Sequence, residues 1–158
     1  MSRKDKATGL FLEGYNCAQS VFAAFCDETG IDRKTALKLS SSFGAGMGKM
    51  REVCGAVSAM FMVIGLLEGY DEPDNLNKKE KHYERIQALA EKFKEKNGGT
   101  IICRELLKNI ETNTDPKPDA RTAEYYKIRP CARFVEDAAE IIDEFLEERK
   151  KPYENSVF

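Results

Sequence analysis

The sequence lacks the features that place a protein in a membrane, on nucleic acid or outside the cell. No apolar run reaches the ~20 residues that a membrane-spanning helix needs. Lys and Arg number 25 against 27 Asp and Glu, a net charge of -2 with no basic block, so nothing favours nucleic acid or a membrane surface as a partner. No continuous apolar segment follows the first residues, so we expect no secretory signal and a cytoplasmic location.

Several familiar site motifs are also missing. There is no CxxC pair, which excludes a thioredoxin-like dithiol local in sequence, and there is no c-type haem motif. The stretch GAGMGKM fails as a Walker loop, because Phe43 stands where glycine is needed and Met50 replaces Ser or Thr. Its G-x-G-x-G spacing also differs from the dinucleotide fingerprint. The only histidine, His82, lies in a charged segment, where a solvated side chain is expected.

What the chain does contain is a series of helical patterns. Apolar residues recur every three or four positions, and no convincing strand, repeat or linker interrupts them. We therefore expect one all-α domain over residues 1–158, a compact bundle of about six helices with its core at 4–146 and a frayed tail from 150. Helices are expected at residues 4–13, from Asn16, from Asp32, at 53–67, at 78–96, from Thr100 and from Pro130, with a helical turn at 123–128 and an exposed loop at 112–122.

The rest of the chain is organised around the segment at 40–65, SSSFGAGMGKMREVCGAVSAMFMVIG. A glycine-rich loop leads into a buried helix that carries Cys54 in its first turns. Such a loop allows close approach of another group, so its glycines and the two cations that follow are candidate cofactor-binding residues. These candidates are Gly44, Gly46, Gly48, Lys49 and Arg51.

Four of the five cysteines share one position, the first one or two turns of a predicted helix. They are Cys17, Cys54, Cys103 and Cys131. Free N–H groups and the helix dipole favour an anion there, and the thiolate is the form that attacks disulfides or binds metal. With Lys49 and Arg51 close by in sequence, we expect Cys54 to have a depressed pKa and to be the attacking thiol. Cys26, late in its predicted helix, is expected to serve core packing.

The cysteine pattern resembles that of a known family. GYNCAQSVF around Cys17, EVCGAVSAMFMVIG after the glycine loop, and single later cysteines at 103 and 131 are similar to the C_GCAxxG_C_C family of redox-active proteins. The resemblance covers roughly residues 4–146 and implies a small, soluble prokaryotic protein with four key cysteines and a redox role. The family's Cys-Gly-Ala-x-x-Gly element reads CGAVSA here, with Ala59 in place of the last glycine.

Three functions stay open on the sequence. The first is redox work by a thiol–disulfide oxidoreductase, through disulfide exchange or electron transfer, with the four helix-start cysteines as catalytic residues. The second is an iron–sulfur cluster or another metal, with the same four cysteines as ligands. The third is a helical interaction module without enzymatic activity. The cysteine pairing, the redox partner or electron donor, and a homodimer are also left open, because four cysteines alone allow three connectivities.

Overall fold

The computed structural model describes residues 1–155, and the side chains of residues 1–151. Within residues 1–155 there are nine α-helices and no β-strand, and six of the helices have seven or more residues, which confirms the all-α class. The helices are α1 (Arg3–Leu12), α2 (Cys17–Ala24), α3 (Cys26–Thr29), α4 (Arg33–Ser40), α5 (Gly55–Glu68), α6 (Leu76–Lys96), α7 (Cys103–Leu106), α8 (Ala123–Ile128) and α9 (Cys131–Asn155). Residues 156–158 of the predicted frayed tail lie outside the described part, and fraying from residue 150 stays a prediction.

The start of α2 is fixed by the capping box that the sequence predicts. Asn16 accepts a hydrogen bond from the Gln19 N–H at 2.9 Å, and the Gln19 side chain accepts one from the Asn16 N–H at 3.1 Å. Asn16 also donates its amide to the Ser41 carbonyl at 3.1 Å, which ties the start of α2 to the end of α4. The separate helix α1 ends before Gly14, whose φ of 107° only glycine adopts readily.

The segments leading into α5 and α7 pair with each other. Val53 and Ile102 form an isolated antiparallel bridge, and the Cys54 N–H donates to the Ile101 carbonyl at 2.8 Å. Backbone in such a bridge is extended, so neither helix includes it, and α5 begins at Gly55, two residues later than predicted. Helix α7 is a single short turn, Cys103–Leu106, in place of the longer helix expected from Thr100.

The core surrounds α5, which packs against α2, α6 and α9, while α9 also packs against α1 and α2. Burying a large apolar side chain contributes about 1.5–3 kcal/mol, so a core of aromatic and branched residues accounts for the helix packing. The largest fully buried side chains are Phe11, Phe22, Phe25, Phe93, Phe145, Met60, Ile64, Ile141 and Ile142. Among the helices of the described chain, none has both the length and the apolarity to cross a bilayer.

Candidate functional site

The four helix-start cysteines line one cavity of about 450 Å³. Three of them, Cys17, Cys103 and Cys131, are the first residues of α2, α7 and α9, and Cys54 directly precedes α5. The fold thus brings together four thiols that are spread over most of the sequence. All five cysteines lie in the described part of the chain and are free thiols there. Cys26 was predicted late in its helix but is the first residue of the short helix α3; it packs against the core, as expected, and does not line the cavity.

Cys17 packs against the backbone next to Cys54. A Cβ atom built on Gly55 would lie only 2.5 Å from the Cys17 sulfur, so that sulfur fills the space beside the backbone that follows Cys54. A charge on Cys17 also acts on each of the other three cavity cysteines and raises their pKa values, after the larger effect of burial. Cys17 is half-buried, whereas Cys54 is 5% exposed and Cys103 is 7% exposed. Cys17 is therefore more accessible than Cys54 and Cys103.

Burial, rather than the helix start, governs the Cys54 thiol. Burial raises its pKa well above the ordinary value, and the charge of Cys17 raises it further. The N–H groups of Val57 and Ala56, at the start of α5, act in the opposite direction but do not compensate. The prediction of a depressed pKa at Cys54 is therefore wrong, because a thiol removed from water keeps its proton.

The pKa values of the Cys103 and Cys131 thiols are also raised. Burial raises the pKa of Cys103, although the Arg51 guanidinium, with Nη1 at 3.9 Å from the sulfur, partly opposes it. Burial, followed by the charge of Cys17, raises the pKa of Cys131 to about 12, and Arg129 opposes this rise. Both thiols are consequently protonated at neutral pH, each with a cation close by.

The glycine-rich loop forms one wall of the cavity. Four of its five predicted binding residues line the cavity, namely Gly44, Gly48, Lys49 and Arg51. Gly46 lies behind the wall, where an added Cβ would be 2.6 Å from Arg51 Cα and 2.7 Å from Cys103 Cβ. Every residue at 45–49 has a positive φ, including the non-glycine residues Ala45, Met47 and Lys49. Such left-handed backbone is uncommon outside glycine, and it clusters at functional sites in proteins.

The two loop cations, Lys49 and Arg51, pair with a carboxylate that also lines the cavity. Asp119 lies 3.5 Å from Lys49 Nζ, 3.5 Å from Arg51 Nη2 and 3.2 Å from Arg129 Nη2. Burial works to raise the pKa of Asp119, but the charges of Lys49, Arg129 and Arg51 outweigh it and hold the pKa below its usual range. Asp119 was not predicted, because nothing in the sequence separates it from other acids in the predicted exposed loop.

Arg121 fixes that loop over the cavity, and it too was missed. Its guanidinium lies 4.4 Å from the Phe11 ring centroid and 5.0 Å from that of Tyr125. It donates to the Phe11 carbonyl at 3.0 Å and to the Tyr15 carbonyl at 3.1 Å. The loop at 112–122 is free of helix, as expected, but these contacts make part of it a wall of the cavity.

The cavity cysteines do not form a ready metal site in this arrangement. Among the described residues, no three Cys, His, Asp or Glu side chains are grouped so that they could hold one metal ion. His82 lies on α6 with its ring against that of Tyr70, centroid to centroid at 6.0 Å, and does not line the cavity. A four-thiolate cluster would therefore require these cysteine side chains to rearrange.

The comparisons agree with the cysteine pattern. No curated protein and no solved structure matches the chain. A protein family described as "Putative redox-active protein (C_GCAxxG_C_C)" matches residues 15–145, a span that contains the four cavity cysteines and the whole glycine-rich loop. Because this match extends over most of the sequence, the chain belongs to the C_GCAxxG_C_C family.

Proposed function

We propose that the protein performs thiol–disulfide exchange, with Cys17 and Cys54 as the first reactive pair. The observation that carries this proposal is the position of the Cys17 sulfur, which fills the space beside Gly55, the residue next to Cys54. A disulfide needs Cα atoms within about 7 Å, a condition that favours thiols on touching backbone segments. All four helix-start cysteines line one cavity, which also supports thiol–disulfide exchange.

Cys17 is the attacking thiol in this proposal, because it is more accessible than Cys54. Its thiolate attacks a substrate disulfide RSSR, forms a mixed disulfide and releases RS⁻, which takes up a proton. Cys54 then loses its proton, attacks the Cys17 sulfur and releases the second RS⁻, which is protonated to RSH. In total, RSSR and two cysteine thiols give two RSH and one Cys17–Cys54 disulfide.

The buried state of Cys54 gives the two steps an order. Because burial raises its pKa, Cys54 stays protonated until the mixed disulfide has formed. Cys103 and Cys131 line the same cavity and, in this proposal, form the second pair, which exchanges with the first. The electron donor would be a reduced thiol of another redox protein or of a small molecule, and the cytoplasm would supply it.

The test is to purify the reduced protein without oxygen and to equilibrate it in glutathione buffers of graded potential. We expect two thiols to be lost per pair at a defined potential, with a linked Cys17–Cys54 peptide. Cys54→Ser should instead trap a mixed disulfide of glutathione on Cys17. Cys26→Ser is the matched control, since Cys26 does not line the cavity, and it should titrate like the unaltered protein.

Metal analysis of the same anaerobic sample separates the alternatives. If the protein contains iron and sulfide in a fixed ratio, and the Cys54→Ser variant loses both, the thiol-exchange proposal is wrong and the protein binds an iron–sulfur cluster. A different result is a protein that contains no metal and forms no disulfide at any potential, with a Cys54→Ser variant that is unchanged in stability and redox behaviour. That result would support only the third function, a helical interaction module without enzymatic activity.

A further inference from the structure

The cysteine cavity carries an excess of positive charge. Four cations line it, namely Lys49, Arg51, Arg121 and Arg129, and the one carboxylate among its lining residues in the described chain is Asp119. Three of these cations share that single carboxylate. The side chains of Lys49 and Arg129 are each 10% exposed and that of Arg51 is 5% exposed, so water compensates them little. Buried charges are stable only when they are paired, so this wall favours an additional anion.

Arg51 has an unused donor at this wall. Its Nε donates to the Asn113 carbonyl at 3.0 Å, and its Nη1 lies 3.9 Å from the Cys103 sulfur. Its Nη2 is buried and, among the described residues, has no hydrogen-bond partner, although Asp119 lies 3.5 Å away. A buried guanidinium N–H without an acceptor is costly, and its planar fork matches a carboxylate. This donor therefore indicates where an anionic group would bind.

We propose that the cavity binds the carboxylate of a small disulfide, or of the corresponding thiol, at Arg51, Lys49 and Arg129. This inference rests on the proposed function, which identifies the reacting group as a disulfide or thiol. The residues that bind the carboxylate are new to this inference. A volume of about 450 Å³ suits a small molecule rather than a protein segment. The carboxylate would hold the substrate sulfur beside the cavity cysteines, and a neutral or cationic disulfide would lack this contact.

Three disulfides of similar size test the charge selection on the unaltered, reduced protein. The probes are 3,3′-dithiodipropionate, which is anionic, 2-hydroxyethyl disulfide, which is neutral, and cystamine, which is cationic. We expect the anionic probe to oxidise the protein about tenfold faster or more than the neutral one, the ratio expected for one charge-assisted hydrogen bond, with the cationic probe slowest. Equal rates for the anionic and neutral probes would overturn the inference and leave thiol exchange standing.

A second measurement does not depend on thiol chemistry. Sulfate should raise the Tm of the reduced protein saturably when sodium chloride maintains the ionic strength. Arg129→Gln should remove most of this rise and the preference for the anionic probe. Arg104→Gln is the matched control, because Arg104 is 52% exposed, pairs with Glu52 and does not line the cavity, and it should keep both.

The two measurements separate the two proposals. A saturable sulfate effect with no reaction of any disulfide would overturn thiol exchange and support the anion site. If sulfate has no effect and Arg129→Gln leaves the probe ratio unchanged, the anion site is wrong, whatever the disulfide rates are.

Discussion

The sulfur of Cys17 occupies the space that a side chain at position 55 would need. A Cβ atom on Gly55 would lie 2.5 Å from that sulfur and 2.8 Å from the Phe43 carbonyl oxygen. Both distances are far below normal van der Waals contact. The glycine after Cys54 is therefore required by close packing against another cysteine, rather than by an unusual backbone angle.

Gly55→Ala should lower the free energy of unfolding by about 1–3 kcal/mol, the usual result of overpacking, and should displace the Cys17 sulfur. We expect the rate of disulfide exchange to fall as well. Gly65→Ala is a matched control on the same helix, because a Cβ there meets no atom within 4 Å. It should stabilise α5 by up to about 1 kcal/mol. Urea unfolding of both variants measures the difference, and equal stabilities would contradict this packing.

Gly46 and Gly48 should respond differently to alanine although both have a positive φ. At Gly46 the new Cβ would lie 2.6 Å from Arg51 Cα, whereas at Gly48 the nearest atom is 3.8 Å away. Gly46→Ala should lower the free energy of unfolding by about 3 kcal/mol or more, and Gly48→Ala by about 1 kcal/mol, the cost of left-handed backbone alone. Thermal unfolding compares them, and a more harmful Gly48 variant would refute the loop geometry.

The protein should lose stability at alkaline pH under reducing conditions. Burial raises the pKa of Cys131 from 9.0 to about 12, and burial raises the pKa of Tyr125 from 10.0 to about 12. Between these values the folded chain binds more protons than the unfolded chain, so the free energy of unfolding falls as pH rises. This stabilisation is complete below pH 9.0 and is lost as pH approaches about 12. Cys131→Ser should make the free energy of unfolding fall less steeply with pH. A Tm that stays constant from pH 9.0 upward would contradict the predicted loss of stability.

Asp119→Asn should destabilise the protein by about 1–3 kcal/mol at neutral pH, because three cations lose their shared carboxylate. The pKa of Asp119 is lowered from 3.8, so its stabilisation is present above pH 3.8 and disappears as pH falls through the lower folded value. The variant should therefore depend less on pH in acid and should bind sulfate more tightly. Asp71→Asn, at an exposed acid away from the cavity, should change neither property.

Local signals in the sequence were enough to find the starts of α2 and α8. Asn16 and Gln19 form the predicted capping box, and the helical turn at 123–128 has the predicted bounds. These features depend on residues a few positions apart, so a pattern of near neighbours contains them. The position of the cysteines at helix starts follows from the same signals.

Features set by distant contacts were not predictable in this way. The pKa of Cys54 depends on how deeply the other helices bury it, and burial is the sum of many non-local contacts. Asp119 and Arg121 become part of the cavity only because the loop at 112–122 folds back over α1.

Because of the short backbone bridge between Val53 and Ile102, the cavity forms only when distant parts of the chain have folded together. Its hydrogen bonds run from the Cys54 N–H to the Ile101 carbonyl and from the Cys103 N–H to the Glu52 carbonyl, so two cysteines are positioned by one contact across 49 residues. Closing so long a loop is a late and entropically unfavourable event. A chain that lost this contact would no longer hold Cys54 and Cys103 in place, and reactivity at this site would therefore report on the integrity of the chain between them.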